Sequence, residues 1–149
     1  MLKDQIKLMG NLDIIVKGGD GQVKEQRSEK NLVVTSGLGF IASRMKDATA
    51  DAMTHMAVGS GSTAAAAGDT DLGSILGSRE VLDSTTVSGA TVTYVSSFEA
   101  GDGTGAITEA GIFNAASGGT MLCRTVFSTV NKASDDTMTI TWTITLSAS

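Results

Sequence analysis

The sequence is poor in the residues on which cross-linking and catalysis depend. Its 149 residues include no proline, one cysteine (Cys123) and one histidine (His55). A single cysteine excludes an internal disulfide framework and a cysteine-based zinc site, so we interpret Cys123 as a small core residue. With one histidine, His55, few nucleophile–base pairs can be built, and we expect it to be structural or solvent-facing. The sequence therefore predicts a non-enzymatic protein with no catalytic residue and no cofactor.

Charge is also sparse, and its distribution excludes further classes of function. Charged residues make up 18% of the chain, the net charge is −5, and lysine and arginine form no dense run. Because nucleic-acid binding depends on neutralising phosphates, no nucleic-acid partner is expected. No apolar run reaches the roughly 20 residues that cross a bilayer. The N-terminus does not resemble a secretion signal, because Asp4, Lys7 and Asp13 interrupt its apolar stretch. We expect no membrane partner, and synthesis in a reducing cytoplasm.

What the chain does contain is a succession of short apolar runs punctuated by glycine, of which there are 18. The cluster at 18–21 separates runs at 12–17 and 22–27 and predicts a hairpin. The last strand gives the clearest pattern, since five apolar residues alternate with threonines: Met138, Ile140, Trp142, Ile144 and Leu146. Further strands are predicted at 31–35, 53–58, 79–86, 90–98, 107–114 and 120–130. The predicted fold is an all-β, antiparallel, jelly-roll-like β-sandwich.

One short helix is predicted at residues 36–46. Phe40, Ile41, Arg44 and Met45 recur there at helical spacing, and Ser36 or Ser43 could cap the helix. We expect residues 1–35 to form an N-terminal arm and hairpin, and residues 36–149 to form the sandwich domain that includes this helix. Ahead of the hairpin lie four apolar residues that we expect to contact neighbouring subunits: Leu2, Ile6, Leu8 and Met9.

Glu109 is the most unusual charged residue, because it lies in an otherwise apolar strand, Ile107 to Phe113. A carboxylate in such surroundings must face water, pair with a cation or accept backbone hydrogen bonds. Arg79 and Arg124 lie inside predicted strands, so a structural ion pair of Glu109 with either arginine is the expected arrangement. A catalytic acid at this position stays open as the alternative. The acidic pairs at 69–71 and 135–136 lack a full set of calcium ligands, so no metal site is expected.

The order of motifs from residue 55 to residue 146 resembles a known kind of virion domain. The motifs are Met56-Ala57-Val58-Gly59-Ser60-Gly61, Asp69-Thr70-Asp71-Leu72, Ser78-Arg79-Glu80, Ile107-Thr108-Glu109-Ala110-Gly111-Ile112-Phe113-Asn114 and Gly119-Thr120-Met121-Leu122, followed by the threonine-rich strand. This order is similar to the N-terminal attachment domain of tailed-phage collar and tail-fibre proteins, and to small stand-alone phage decoration proteins. The resemblance covers more than half of the chain.

The resemblance implies a tailed-phage virion structural protein, made in the host bacterial cytoplasm. Implied partners are other copies of the chain, as a trimer, and the major capsid protein or tail and baseplate proteins. Because no shaft follows residue 149, a capsid decoration (cement) protein is expected ahead of a tail, collar or baseplate adaptor. A carbohydrate-binding adhesive β-sandwich is a second alternative, and it would need exposed aromatic residues. Aromatics are only 4% of the chain.

Overall fold

Two five-stranded antiparallel sheets and one short helix make up the part of the chain that the computed structural model describes, residues 5–47 and 50–148. Sheet 1 contains, in spatial order, β2 (Val23–Lys30), β1 (Ile6–Lys17), β10 (Thr137–Ala148), β7 (Thr91–Phe98) and β6 (Ser84–Ser88). Sheet 2 contains β3 (Leu32–Val33), β9 (Met121–Lys132), β8 (Gly105–Phe113), β4 (His55–Gly59) and β5 (Glu80–Val81). The all-β sandwich with one helix is thereby confirmed. Within the described residues, no helix is long and apolar enough to cross a membrane.

Strand β10 lies at the centre of sheet 1, and its alternating sequence decides which face is buried. Met138, Ile140, Trp142 and Ile144 are buried, and Leu146 is half-buried against the same core. The alternate threonines face outward, because successive side chains of a strand point to opposite faces. Trp142 is fully buried, and its indole Nε1 donates a hydrogen bond to Asn31 Oδ1 at 2.9 Å. Burial of each large side chain stabilises the fold by about 1.5–3 kcal/mol.

The N-terminal segment belongs to the sandwich, which corrects the expected division at residue 35. Strand β1 pairs with β10 along its whole length, from Ile6 opposite Ala148 to Lys17 opposite Thr137. Three residues of β1 are fully buried in the core: Leu12, Ile14 and Val16. The expected hairpin is present as β1–β2, but its first strand extends back to Ile6. Residues 6–17 are therefore part of sheet 1 and do not form a separate arm.

The helix α1 (Thr35–Arg44) begins one residue earlier and ends two residues earlier than the helix predicted at 36–46. Its N-cap is Val34, which makes no side-chain capping bond, so neither predicted serine cap forms. Ser36 Oγ instead donates to the carbonyl of Met121 at 3.0 Å, and Ser43 Oγ donates to the carbonyl of Phe40 at 2.7 Å. The helix therefore starts without a side-chain cap, and Ser36 ties it to β9.

The buried residues form two separate clusters. The larger cluster fills the space between the sheets and contains residues of both, with Phe40 of α1 closing one side. The smaller cluster lies on the outer face of sheet 2 and consists of Val34, Ala57, Phe113 and Met121, with Leu72 packed on it. The outer face of sheet 2 is therefore covered, and the cover comes from the segment between β4 and β5.

Candidate functional site

Residues 60–79 form a long loop between β4 and β5, here called the covering loop. Two backbone hydrogen bonds bring its second half back beside the end of β4: Ser60 N donates to Ser74 O at 2.8 Å within the loop, and Leu76 N donates to Val58 O of β4 at 2.9 Å. Leu72 lies over Gly111 of β8, where an added Cβ would stand only 3.1 Å from the leucine Cδ2. Glycine at 111 therefore leaves room for the loop to pack directly on the sheet.

Glu109 is the centre of the contacts beneath this loop. It lies on β8 opposite Gly59, and it is fully buried. Its Oε2 accepts hydrogen bonds from the backbone N–H of Gly61 at 2.5 Å and of Ser74 at 2.8 Å. Its Oε1 accepts from the backbone N–H of Gly73 at 2.7 Å. One carboxylate thus joins the start of the covering loop, at Gly61, to residues 73 and 74 in its second half.

Arg124 on β9 supplies the positive charge. It is 3% exposed, and its Nε donates to Glu109 Oε1 at 3.1 Å. The same guanidinium donates to Asp69 Oδ2 at 2.8 Å and to the carbonyl of Thr63 at 3.1 Å. A hydrogen bond from the backbone N–H of Ala66, together with Arg124, lowers the pKa of Asp69 below its ordinary value. Arg124 therefore connects the buried carboxylate to the middle of the covering loop.

Two glycines permit the close approach of the loop backbone to Glu109. A Cβ at Gly61 would stand 2.1 Å from Glu109 Oε2. A Cβ at Gly59 would stand 2.4 Å from the carbonyl oxygen of Ser74. Neither contact can be relieved without displacing the buried carboxylate or the loop backbone, so space favours glycine at both positions.

Arg79 does not join this group, which corrects one of the two predicted ion pairs. Its guanidinium lies over the ring of Phe113, 3.6 Å from the centroid. Its Nη1 donates to the carbonyls of Ala115 at 2.9 Å and of Gly118 at 2.8 Å, and Asp71 lies 3.5 Å from Nη2. Arg79 therefore closes the C-terminal end of the covering loop over the turn between β8 and β9, while Arg124 alone pairs with Glu109.

The residues expected to make assembly contacts lie apart from this site. Leu8 is half-buried and packs on the main core of its own chain. Ile6 is 72% exposed and Met9 is 49% exposed. Leu2 lies outside the described residues. Of the three that the structure describes, Ile6 and Met9 are therefore the two that are mostly exposed to solvent.

The two remaining residues that could take part in catalysis, Cys123 and His55, both make structural contacts. Cys123 is fully buried, and burial raises the pKa of its thiol well above the ordinary value, which keeps it protonated and unreactive. The His55 ring Nδ1 lies 2.7 Å from Thr54 Oγ1 at the start of β4. Among residues 5–47 and 50–148, no three histidine, cysteine or acidic side chains are grouped as a metal site requires.

The chemistry open to the Glu109 group is limited by its contacts. Three backbone N–H groups and one guanidinium point at the two carboxylate oxygens, and no part of the side chain reaches solvent. A general acid or base needs a proton path to a bound substrate. A carboxylate that is saturated and enclosed in this way acts as an anchor for backbone instead.

Sequence reasoning identified Glu109 and Arg124, but it missed the other half of the site. Strands β4, β8 and β9 provide the floor, whereas the donors on Gly61, Gly73 and Ser74 are backbone groups that carry no side-chain signal. The concentration of glycine at 59, 61, 73 and 111 was the available signal for a close backbone approach.

Comparison of the chain with protein-family models, with curated proteins and with solved structures found no match in any of the three.

Proposed function

We propose that this protein is a non-enzymatic structural protein of a tailed-phage virion, and that its role is capsid decoration. The observation that carries the proposal is the convergence of the segments in which the resemblance was noted. Gly61 and Arg79 come from two separate motifs and Glu109 and Phe113 from a third, yet all four contact or hold the covering loop on sheet 2. The residues that carry the resemblance are thus those that anchor a long loop on one sheet of the sandwich, which supports the proposal.

The use made of Glu109 supports the non-enzymatic part of this proposal. The chain contains one histidine and one cysteine, and its most deeply buried carboxylate is taken up by hydrogen bonds to backbone N–H groups. An ion pair of this kind is costly to desolvate and becomes strongly destabilising when one partner is removed. The Glu109–Arg124 pair therefore serves to hold the covering loop in place on sheet 2, which favours a structural role.

The outer face of sheet 1 supports a role in contact with other proteins. Thr143 of β10 lies beside Thr93 of β7, which lies beside Thr86 of β6, so one row across three strands is threonine throughout. An uncharged hydroxyl surface can be buried against a neighbour at a lower desolvation cost than a charged one. We propose that copies of the chain and the major capsid protein are its partners.

Two alternatives make different predictions. A tail, collar or baseplate adaptor would use the same surfaces at a few positions per particle, so its copy number separates it from a decoration protein. A carbohydrate-binding module would need aromatic platforms. All six aromatic residues lie within the described segments, and all are buried: Phe40, Tyr94, Phe98, Phe113, Phe127 and Trp142. This arrangement argues against the carbohydrate alternative.

The proposal is tested with phage particles from which this gene has been deleted. A decoration protein is dispensable for assembly, so we expect complete particles that release DNA at a lower temperature than wild-type particles. Adding the purified protein back should restore the release temperature. Particles that lack tails or fibres, with unchanged heat stability, would identify the adaptor role. Deleted particles with normal architecture and normal heat stability would refute a structural role.

A further inference from the structure

The two edges of sheet 1 differ in chemistry. The outer strand β2 carries Lys24, Glu25, Arg27, Glu29 and Lys30, and Arg27 forms ion pairs with the two glutamates. Charged side chains on an edge strand discourage another strand from adding to it. The opposite edge, β6, reads Ser-Thr-Thr-Val-Ser, carries no charge, and is exposed at all five residues. One edge of the sheet is therefore protected, and the other is open.

The open edge also has backbone groups available for pairing. Ser88 and Thr91 flank the two-residue turn of the β6–β7 hairpin. In a hairpin with such a turn, the two flanking residues form a hydrogen-bonded pair. Since the ladder alternates, the N–H and C=O groups of Thr85 and Val87 point away from β7. Two donors and two acceptors thus lie along an uncharged edge.

The same two residues border an apolar cleft. A cleft of about 310 Å³ lies between α1 and the end of sheet 1, and Thr85 and Val87 form one wall of it. Val87 is 68% exposed, one of the largest values among the apolar residues of the sandwich. The open edge and the exposed apolar surface are therefore the same place.

From these observations we propose that β6 is an interface, and that its partner is the β6 strand of a second copy of this chain, paired antiparallel about a twofold axis at Thr86. In this register Thr85 of one copy faces Val87 of the other and Ser84 faces Ser88, so no charged residue meets another. The outward groups of Thr85 and Val87 then form hydrogen bonds with their counterparts. The two Val87 side chains become diagonal neighbours beside the two clefts.

The composition of β6 suits a second copy better than an unrelated strand. A twofold interface must be complementary to itself, and an uncharged five-residue strand whose ends match satisfies that requirement. The chain has a net charge of −5, so self-association through a charged edge would meet repulsion that β6 avoids. Strand addition draws its affinity from main-chain hydrogen bonds, which the open edge supplies. The result is one continuous sheet across two chains.

This inference deepens the proposed function and rests on it for the reason that copies meet, but it is tested on purified protein alone. Sedimentation of the wild type over a range of concentrations should show a species of twice the 15.2 kDa chain mass. Val87→Lys should weaken that dimer by at least roughly tenfold in dissociation constant, because like charges would become diagonal neighbours. The matched control is Val23→Lys, which places the same charge on an exposed valine of the other edge and should leave the dimer intact.

A cysteine pair tests the register. Thr86→Cys should form a covalent dimer under mild oxidation, because a non-hydrogen-bonded pair brings the two Cα atoms to about 4.5 Å. Ser84→Cys should not, since its two copies would lie about four residues apart, roughly 13 Å along the strand. Buried Cys123 stays out of the reaction. A monomeric wild type, a trimer, a dimer unaffected by Val87→Lys, or equal cross-linking at 84 and 86 would each overturn the inference. None of these results bears on whether the protein is present in particles.

Discussion

Replacing Glu109 with glutamine tests the buried anchor, because the change keeps the shape of the side chain and removes only its charge and half of its acceptors. The carboxylate receives two N–H groups on Oε2, and one N–H group and the Arg124 guanidinium on Oε1. A glutamine offers one oxygen and one NH₂ group, so one pair of donors must face another donor. Arg124, only 3% exposed, also loses its closest buried counter-charge.

Removing one partner of a buried ion pair lowers the free energy of unfolding by about 3–5 kcal/mol. Arg124 keeps Asp69 at 2.8 Å, which places the expected loss in the free energy of unfolding at about 3 kcal/mol, the lower end of that range. At about 2–4 °C per kcal/mol for a chain of this size, the melting temperature should fall by roughly 6–12 °C. The single tryptophan, Trp142, is buried in sheet 1 and reports unfolding by its fluorescence during a denaturant titration.

Hydrogen exchange then locates the effect. The amides of Gly61, Gly73 and Ser74 should lose protection in the Glu109→Gln protein, while amides of β1 and β10 keep theirs. The control is Glu99→Gln, which removes the same charge at an exposed position and should change the unfolding free energy by less than about 0.5 kcal/mol. If Glu109→Gln were as stable as this control, or if the three amides stayed protected, the carboxylate would not be what holds the loop.

Three further predictions concern the core residue Trp142, the contact of Gly61 with Glu109, and the loss of stability at low pH. Trp142→Ala should lower the free energy of unfolding by about 3–5 kcal/mol, measured by circular dichroism in denaturant, and should leave Asn31 without its indole donor. Gly61→Ala should expose the covering loop to limited proteolysis without unfolding the sandwich, since its methyl group would overlap the buried carboxylate. Hydrogen bonds hold the pKa of Asp69 and of Asp136 below the ordinary value, so their contribution to stability is present above about pH 4 and is lost as the pH falls through the lowered values. A titration of unfolding free energy from pH 7 to pH 2 should show this loss, and Asp136→Asn should reduce it.

Much of the sandwich could be predicted because its strands carry local patterns. The alternation in β10 and the glycine cluster at 18–21 are visible within a few residues, and both features are present in the structure. The division at residue 35 is wrong because the first hairpin strand, predicted from residue 12, begins at Ile6 and pairs with β10 along its whole length. Leu8 lies on the same face as Leu12, with glycine at position 10 between them, so the pattern in fact extends back through Gly10. That glycine hides the alternation in the sequence.

The candidate site was only half predictable, for a physical reason. A buried charge in an apolar strand requires a partner, which is why Glu109 and Arg124 could be singled out in advance. The other contacts are backbone N–H groups of a loop that lies on the sheet through long-range packing, and the glycines at 59, 61, 73 and 111 are their only trace in the sequence. Arg79 was assigned to the wrong acceptors because its sequence gives no sign that the turn carbonyls of Ala115 and Gly118 lie within its reach.

The most direct test of the central claim is the number of copies of this chain in purified phage particles, measured by quantitative mass spectrometry against the major capsid protein. A decoration protein that binds throughout the capsid lattice should be present in hundreds of copies, at a simple ratio to the capsid protein. A few tens of copies or fewer would contradict decoration and assign the chain to the tail. Its absence from purified particles would contradict a virion role altogether.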